Sequence, residues 1–345
     1  MNSLEQAGSN ALLMLDLIPR WERSLEREGY RERGIKRYKD NMLDFVRTHG
    51  PSMAIDDFTP RAVIIDQDVL TERGCSGGTK CNRLTALRSF AKFCVFEDLL
   101  AEDPTTKVRW PKRQDPQVRH LRMREVRKIQ RVLAEPWRST AYGRFLWLRL
   151  RLAIYLMQYA GLRISEVAVL LWKNIDTDAK ARVIHIIDSK HGRNRDIKIH
   201  RVLLAELERV PEQERYGPVI KQKSSNPKKD GLPLGPKSLA HLFESGRELS
   251  RLLIAHNDDG SVRTPEEAEA ALERARRGEE IDAVGPHQFR RFFATMLKRK
   301  RVDLDDIRKI LGHRHLNTTQ RYLDGGPDDD DDEGEIVIDR LPVDW

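Results

Sequence analysis

The sequence has little of what membrane proteins and disulfide-stabilised secreted proteins contain. Its 345 residues include three cysteines, Cys75, Cys81 and Cys94, an odd number without the spacing of a metal site. Reduced, buried thiols in a cytoplasmic protein are the simplest interpretation. No apolar run approaches the roughly 20 residues of a membrane-spanning helix. The apolar stretch 11–18 is short and contains Asp16, so no signal peptide and no membrane partner are predicted.

Acidic clusters of the kind that hold catalytic Mg²⁺ are also missing, so we expect metal-independent chemistry with no cofactor. What is abundant is positive charge. Charged residues make up 34% of the chain and the net charge is +8, although the acidic run Asp328–Asp332 conceals part of the basicity. Such an excess favours a polyanionic partner, either nucleic acid or an anionic membrane, but it also occurs in proteins that bind no polyanion.

The most informative stretch of the sequence lies between residues 285 and 324. Pro286 suits the first position of a helix, where its missing N–H would have no partner. His287 and Arg290 are three residues apart, so both project from the same face of that helix. This stretch therefore predicts a helix that presents a histidine and an arginine together.

Two shorter helices are predicted downstream. An apolar stripe at helical spacing outlines the first of them: Leu304, Ile307 and Leu311. Gly312 ends that helix and His313 follows in the turn. Asn317 or Thr318 caps the next helix, which presents Tyr322. The three helices converge polar groups that are suited to an anionic centre.

Upstream, the stretch Phe145–Tyr159 is apolar on nearly every side and predicts a buried central helix that Gly161 stops. Arg163 follows the stop, and Ser165 or Glu166 can satisfy the free N–H groups of the next helix. Two β-branched runs, 183–187 and 197–199, flank a turn of polar residues. They predict a β-hairpin.

This ordered set of motifs resembles the tyrosine recombinase (phage integrase) family over residues 12–322. His287-Gln288-Phe289-Arg290 stands where the family carries H-x-x-R. The stretch from Leu311-Gly312-His313 through Thr318-Thr319 to Tyr322 follows its LGH…TT..Y signature. Arg163 stands in the family's G-L-R-x-S-E context. A lone H-x-x-R would be weak, whereas the whole set in family order is specific.

The resemblance implies a catalytic set: Arg163, Lys190, His287, Arg290, His313 and Tyr322. In that interpretation the two arginines grip the non-bridging oxygens of a DNA phosphate, and the two histidines add hydrogen bonds. Tyr322 forms a 3′-phosphotyrosyl link, and Lys190 protonates the leaving 5′-oxygen; Lys198 is a weaker candidate for that role. For any one of these residues an ordinary structural role remains the alternative.

The resemblance also implies a mainly α fold with a small β-hairpin or sheet, a helical core-binding bundle and a mixed α/β catalytic domain. The predicted boundaries are a SAM-like DNA-binding domain at 1–113, a linker at 114–119, the catalytic domain at 120–324 and an acidic tether with a C-terminal tail at 325–345. The charged segment at about 257–282 is predicted to be an insertion that is helical over Pro265–Arg277 and capped by Thr264.

Contacts to the DNA backbone are predicted for three cations of the first domain: Lys80, Arg83 and Arg88. A solvated basic face is an equally good interpretation of any one of them. In the predicted hairpin, His191 and Arg193 are expected to approach the DNA without a catalytic role.

We therefore expect a DNA strand-exchange enzyme that acts as a homotetramer on two double-stranded attachment sites, in the cytoplasm at the nucleoid. The short leader and the insertion favour a simple two-domain integrase of a mobile element. Three alternatives stay open: Xer-type chromosome or plasmid dimer resolution, type IB topoisomerase-like nicking and resealing, and a DNA-binding protein without catalysis. The apolar tail Ile336–Trp345 is predicted to pack on a neighbouring subunit.

Overall fold

The protein is mainly helical with one small sheet, as the sequence predicts. The structure, a computed structural model, describes residues 12–112, 120–134, 136, 140–178, 180–187, 194–244, 247–281 and 283–323. The chain divides into two compact units, Met1–Pro116 and Gln117–Trp345, and the division falls within the predicted linker.

In the described part of the first unit, four helices surround an aromatic core: α1 Met14–Arg27, α2 Glu32–His49, α3 Pro60–Glu72 and α4 Gly77–Phe96. Trp21 meets Phe90 edge to face with ring centroids 5.3 Å apart. Ser76 caps α4, because its hydroxyl accepts the hydrogen bond from the backbone N–H of Thr79 and the helix begins at Gly77.

In the second unit the described helices are α5 Met123–Val132, α6 Ala141–Ala160, α7 Ile164–Val169, α8 Arg201–Glu208, α9 Pro236–His241, α10 Glu248–Ala255, α11 Pro265–Arg276, α12 Pro286–Arg299, α13 Leu304–Leu311 and α14 Leu316–Leu323. The predicted central helix is α6, which packs against α8 and α12. Helix α14 begins at Leu316, ahead of both predicted caps.

The sheet is antiparallel with strand order β1-β2-β3: β1 Ile175–Asp176, β2 Val183–Ile186 and β3 Arg195–Lys198. The hairpin of β2 and β3 confirms the prediction, whereas β1 was missed because two residues carry no readable alternation. Ile184 pairs with Ile197 and both are buried, so one face of the hairpin joins the core.

Two glycines turn the chain where helices end. Gly161 ends α6 and Gly312 ends α13, each with φ of 61°, a left-handed conformation that side chains rarely adopt. A Cβ atom at Gly161 would lie 2.4 Å from Cδ1 of Phe293, and one at Gly312 would lie 3.0 Å from Nη1 of Arg195. Gly161 therefore requires glycine for conformation and for space, and Gly312 requires it for conformation.

The charged segment 257–282 is helical over α11, and the hydroxyl of Thr264 caps that helix as predicted. Glu280 beyond that helix accepts hydrogen bonds from Lys128 of α5, Arg263 and Arg274. Burial alone would raise the pKa of Glu280, but the hydrogen bonds from Lys128 and Arg263 lower it. The ion pair between Glu280 and Lys128 therefore fastens this segment to α5. Among the described residues, no helix has the length and apolar character to cross a bilayer.

Candidate active site

Arg163 stands at the N-cap of α7, directly after the turn at Gly161. Its Nη1 donates to Oε1 of Glu166 over 2.8 Å, and its Nη2 donates to the carbonyl oxygen of Gly312 over 2.8 Å. The side chain is 31% exposed. Arg163 is thus held at the junction of α7 and α13 while solvent still reaches it.

Arg290 lies behind Arg163 and is 1% exposed. Its two terminal nitrogens donate to the carbonyl oxygens of Gly161 and Leu311, the last turns of α6 and α13. Burial, and then the charge of Arg163, lower the pKa of Arg290 to about 9. That value is still well above 7, so the group stays a cation at neutral pH. The two arginines are therefore not equivalent: one faces solvent and the other supports it from the core.

Glu166 links these arginines to a third, Arg195 of β3. Arg195 donates from Nη1 and Nη2 to the two oxygens of Glu166 over 3.0 and 2.9 Å, and from Nε to the carbonyl oxygen of Ile310 over 2.8 Å. Glu166 also accepts from the backbone N–H of Arg163, which confirms its predicted capping role. Burial would raise the pKa of Glu166, but the hydrogen bonds and charge of Arg195 overcome it and bring that pKa to about 2. A permanent carboxylate therefore organises three guanidinium groups.

His287 and Tyr322 meet across α12 and α14, with 3.1 Å between Nδ1 of His287 and the phenol oxygen. Burial lowers the pKa of His287, and the charges of Arg290, Arg291 and Arg163 lower it further. The ring is therefore neutral at neutral pH and its Nδ1 is able to accept the phenol proton.

His313 is buried at the turn between α13 and α14. Its Nδ1 lies 3.0 Å from the hydroxyl oxygen of Thr319, and its ring meets that of Tyr322 edge to face at 5.0 Å. Burial, and then the charges of Arg290 and Arg163, lower the pKa of His313 to about 3. His313 is therefore a neutral ring whose orientation Thr319 controls from the side away from solvent.

Five of the six predicted catalytic side chains thus converge in one subunit: Arg163, His287, Arg290, His313 and Tyr322. Lys190, His191 and Arg193 lie outside the described residues. Lys198, the weaker candidate, is exposed at the end of β3 opposite Val183.

Sequence reasoning missed Arg195 and the central position of Glu166. Arg195 has no motif around it in the sequence. The only available signal was a charged residue at the first position of a β-branched strand, directly after a polar turn. Arg195 is shielded from solvent because β3 lies against α13, where it donates to the carbonyl oxygen of Ile310, 115 residues further along the chain.

The DNA contacts predicted in the first unit have different outcomes. Arg83 is buried, with its guanidinium paired to Asp66 over 3.0 Å and to Asp44, so the prediction of a backbone contact was wrong for this residue. Arg88 is half-buried over the ring of Trp110, at 4.3 Å from its centroid, where it holds the loop before the linker. Lys80 donates to the hydroxyl of Thr71. The DNA contacts of Lys80 and Arg88 stay predictions.

The site has the chemistry of an anion receptor beside a nucleophile. Arg163, Arg195 and Arg290 share one carboxylate, which leaves a surplus of positive charge at the centre. A phosphate diester could be bound by such donors, which are most effective when their positions are set in advance. A phenol within hydrogen-bond distance of a neutral imidazole could attack it.

Comparison with known proteins identifies the same region. Residues 121–326 match the sequence profile of the phage integrase family. The chain is 30% identical over 255 residues to tyrosine recombinase XerD of Caulobacter vibrioides, an alignment that covers 73% of this chain and 72% of that protein.

Two solved structures share the fold. A lambda integrase tetramer bound to a Holliday junction has a TM-score of 0.67 at 16% identity, covering 94% of this chain and 81% of that one. The Tn1549 transposon integrase in complex with a circular intermediate DNA has a TM-score of 0.61 at 17% identity, covering 89% and 94%.

Proposed function

Because the chain belongs to the phage integrase family of tyrosine recombinases, enzymes of DNA strand transfer, we propose that Tyr322 is the nucleophile of its site-specific recombination. The phenol oxygen attacks a backbone phosphorus, a P–O bond forms to the tyrosine, and the P–O5′ bond breaks. The products are a 3′-phosphotyrosyl link and a free 5′-hydroxyl. The observation that carries this proposal is the 3.1 Å contact between Tyr322 and His287 beside the arginines of the same subunit.

His287 is the base that removes the phenol proton. A free tyrosine ionises near pH 10, so only about one in a thousand is a phenolate at pH 7. A neutral imidazole at hydrogen-bond distance can accept that proton as the oxygen attacks, which contributes typically 10²–10⁴-fold in rate. The lowered pKa of His287 supports this role, because a protonated ring would have no free lone pair.

Arg163 and Arg290 stabilise the phosphate on which charge develops. Arg163 is the one that solvent reaches, so its forked donors bind a non-bridging oxygen directly. Arg290 supplies positive charge from the core and holds the carbonyls of Gly161 and Leu311, which shape the floor of the site. His313, kept neutral, donates a further hydrogen bond from Nε2 when Nδ1 accepts one from Thr319.

Lys190 is the proposed acid that protonates the leaving 5′-oxygen. The support for it is the family resemblance and its place in the predicted turn, in the sequence between β2 and β3. Arg195, the first residue of β3, is tied into the site by Glu166 and Ile310. The strand that follows the predicted turn is thus anchored at the site, which suits a group that must reach the leaving oxygen.

The proposed substrate is double-stranded DNA with two recombination sites, held by a homotetramer in the cytoplasm at the nucleoid. The lambda integrase that shares this fold was solved as a tetramer bound to a Holliday junction, and the Tn1549 integrase was solved with DNA. The tail Ile336–Trp345 lies outside the described residues. We propose that it docks on a neighbouring subunit, and deletion of residues 335–345 should then impair assembly on DNA.

Integration and excision of a mobile element is the proposed biological role, and the likeness to lambda and transposon integrases supports it. Resolution of chromosome or plasmid dimers is the second candidate, because the sequence relatives include XerD recombinases. The two roles differ in their DNA sites. Integration joins two unlike sites, whereas dimer resolution joins two copies of one site.

A nicked suicide duplex tests the chemistry. The full-length Tyr322→Phe chain first selects a core site from random duplexes, and the wild-type chain is then incubated with a nicked form of that site in EDTA. A covalent adduct should form with the wild-type chain and be absent with Tyr322→Phe, which should still bind the duplex. Absence of an adduct from the wild-type chain, or its persistence in the variant, would refute the assignment.

Exchange between labelled duplexes then separates the roles. Recombination between two copies of the selected site favours dimer resolution, and recombination that needs a second, unlike site favours integration. Cleavage and resealing without exchange of partners would instead indicate a topoisomerase-like activity.

A further inference from the structure

Arg291 is a second cation on the nucleophile's side of α12. It follows Arg290, and consecutive residues point about 100° apart around a helix, so the two guanidinium groups leave the helix in different directions. Arg290 enters the core, whereas the Cζ of Arg291 lies 4.9 Å from the centroid of the Tyr322 ring. That distance is within the range of about 6 Å over which a cation is attracted to an aromatic face.

Unlike its neighbours, Arg291 has no carboxylate partner among the described residues. Arg163, Arg195 and Arg290 all lie within 3.7 Å of an oxygen of Glu166. Arg291 is half-buried, and its Nε–H is shielded from solvent without an acceptor in the part of the chain that the structure describes. A shielded cation without an acid is costly. Its charge is therefore available to an anion that forms only during the reaction.

We propose that Arg291 is a further catalytic residue of this recombinase, whose guanidinium stabilises the phenolate of Tyr322 through the face of the ring. This inference rests on the proposed role of Tyr322 as nucleophile. When the phenol proton passes to Nδ1 of His287, negative charge spreads from the oxygen into the ring. A cation over the ring face is attracted more strongly after that transfer than before it, so it lowers the barrier to attack on phosphorus.

The other groups around Tyr322 do not supply this charge at the ring. Among the side chains that the structure describes, the titratable and charged ones that face it are His287, Arg290 and Arg291 from α12, and His313 from the turn after α13. Burial and the nearby arginines lower the pKa of both histidines, so neither carries charge at neutral pH. Arg290 is committed to two backbone carbonyls. Within the described part of the chain, Arg291 is the cation in contact with the ring itself.

The test compares rates of covalent adduct formation under single-turnover conditions, with saturating suicide duplex, between pH 6.5 and 9.5. Arg291→Met removes the charge and keeps an unbranched side chain. Arg291→Lys keeps a cation without the planar group. Arg299→Met is the matched control, because it makes the same change on the same helix, two turns away. Thermal unfolding of each full chain checks that the variants fold, and Arg291→Lys carries the test should Arg291→Met fail to fold.

At pH 7, Arg291→Met should form the adduct about 3- to 30-fold more slowly than the wild-type chain, the range expected of a cation–π contact. The difference in rate between Arg291→Met and the wild-type chain should become smaller toward pH 9.5, because hydroxide then ionises more of the Tyr322 phenol without help from a cation. Arg291→Lys should recover part of the rate, and Arg299→Met should match the wild-type chain.

Three results would overturn the proposal. An unchanged rate at every pH would show that the contact has no catalytic effect, and a faster rate would show that it restrains the nucleophile. A rate of Arg291→Met that is reduced by the same factor at every pH would show that Arg291 does not act on the ionisation of Tyr322. A simultaneous fall of about 0.9 in the slope of log DNA affinity against log salt concentration would identify a phosphate contact instead. Failure of the wild-type chain to form any adduct would refute the assignment of Tyr322 and not the role of Arg291 alone.

Discussion

Replacing Glu166 with glutamine should remove the charge around which the site is built. The carboxylate of Glu166 lies within 3.7 Å of a guanidinium nitrogen of Arg163, Arg195 and Arg290. Glutamine keeps the size of the side chain but has a single acceptor oxygen, and its NH₂ group would face N–H donors. The variant leaves three neighbouring cations without an acid.

The magnitude follows from the pKa of Glu166, which falls from an ordinary 4.5 to about 2. At 1.36 kcal/mol for each pH unit, this corresponds to about 3 kcal/mol of folding free energy at neutral pH. The pKa is lower in the folded than in the unfolded chain. The stabilisation is therefore fully present above pH 4.5 and is lost as the pH falls toward 2. By pH 3 less than half of it remains.

Calorimetric unfolding of the full chain at several pH values between 7 and 3 measures the effect. Glu166→Gln should lower the stability of the second unit by about 3 kcal/mol at pH 7, and the deficit should shrink by more than half at pH 3. Glu273→Gln, on the exposed face of α11, should change stability by less than about 0.5 kcal/mol. A deficit below about 1 kcal/mol at pH 7, or one that does not change with pH, would refute the reasoning.

Three further predictions follow from single features of the structure. Gly161→Ala should lower the free energy of unfolding by at least about 2 kcal/mol, because the backbone there is left-handed and the Cβ position is crowded. Gly34→Ala in α2 is the control and should raise the free energy of unfolding by about 0.5–1 kcal/mol; urea unfolding measures both variants. The ring of His313 should stay neutral down to pH 5 in an NMR titration, and protonation above pH 6 would contradict this. Because its pKa is about 3 in the folded chain and 6.5 in the unfolded chain, the neutral ring's contribution to folding stability is present above pH 6.5 and is lost as the pH falls from 6.5 toward 3. Arg83→Met should destabilise the first unit by about 3 kcal/mol, because Asp66 loses its partner, and should leave the salt dependence of DNA binding unchanged. Unchanged stability together with a weaker salt dependence would instead indicate that Arg83 contacts the DNA backbone.

The sequence determines the local relations within the site. His287 and Arg290 share a face because they are three residues apart on one helix. Gly312 ends α13 and so turns His313 away from the helix axis. Thr264 caps α11 as the sequence predicts. Spacing and caps act over a few residues, so these features can be read from the chain in order.

The tertiary structure decides which charges are buried and what they contact. Arg83 looks like any cation of a basic helix face, and only the approach of Asp66 and Asp44, 17 and 39 residues away, makes it a buried ion pair. Arg195 and Arg291 stand in no recognised position of a motif, yet one joins Glu166 and the other covers Tyr322. Burial and pairing depend on residues that are distant in sequence, because packing and not spacing brings oppositely charged groups together.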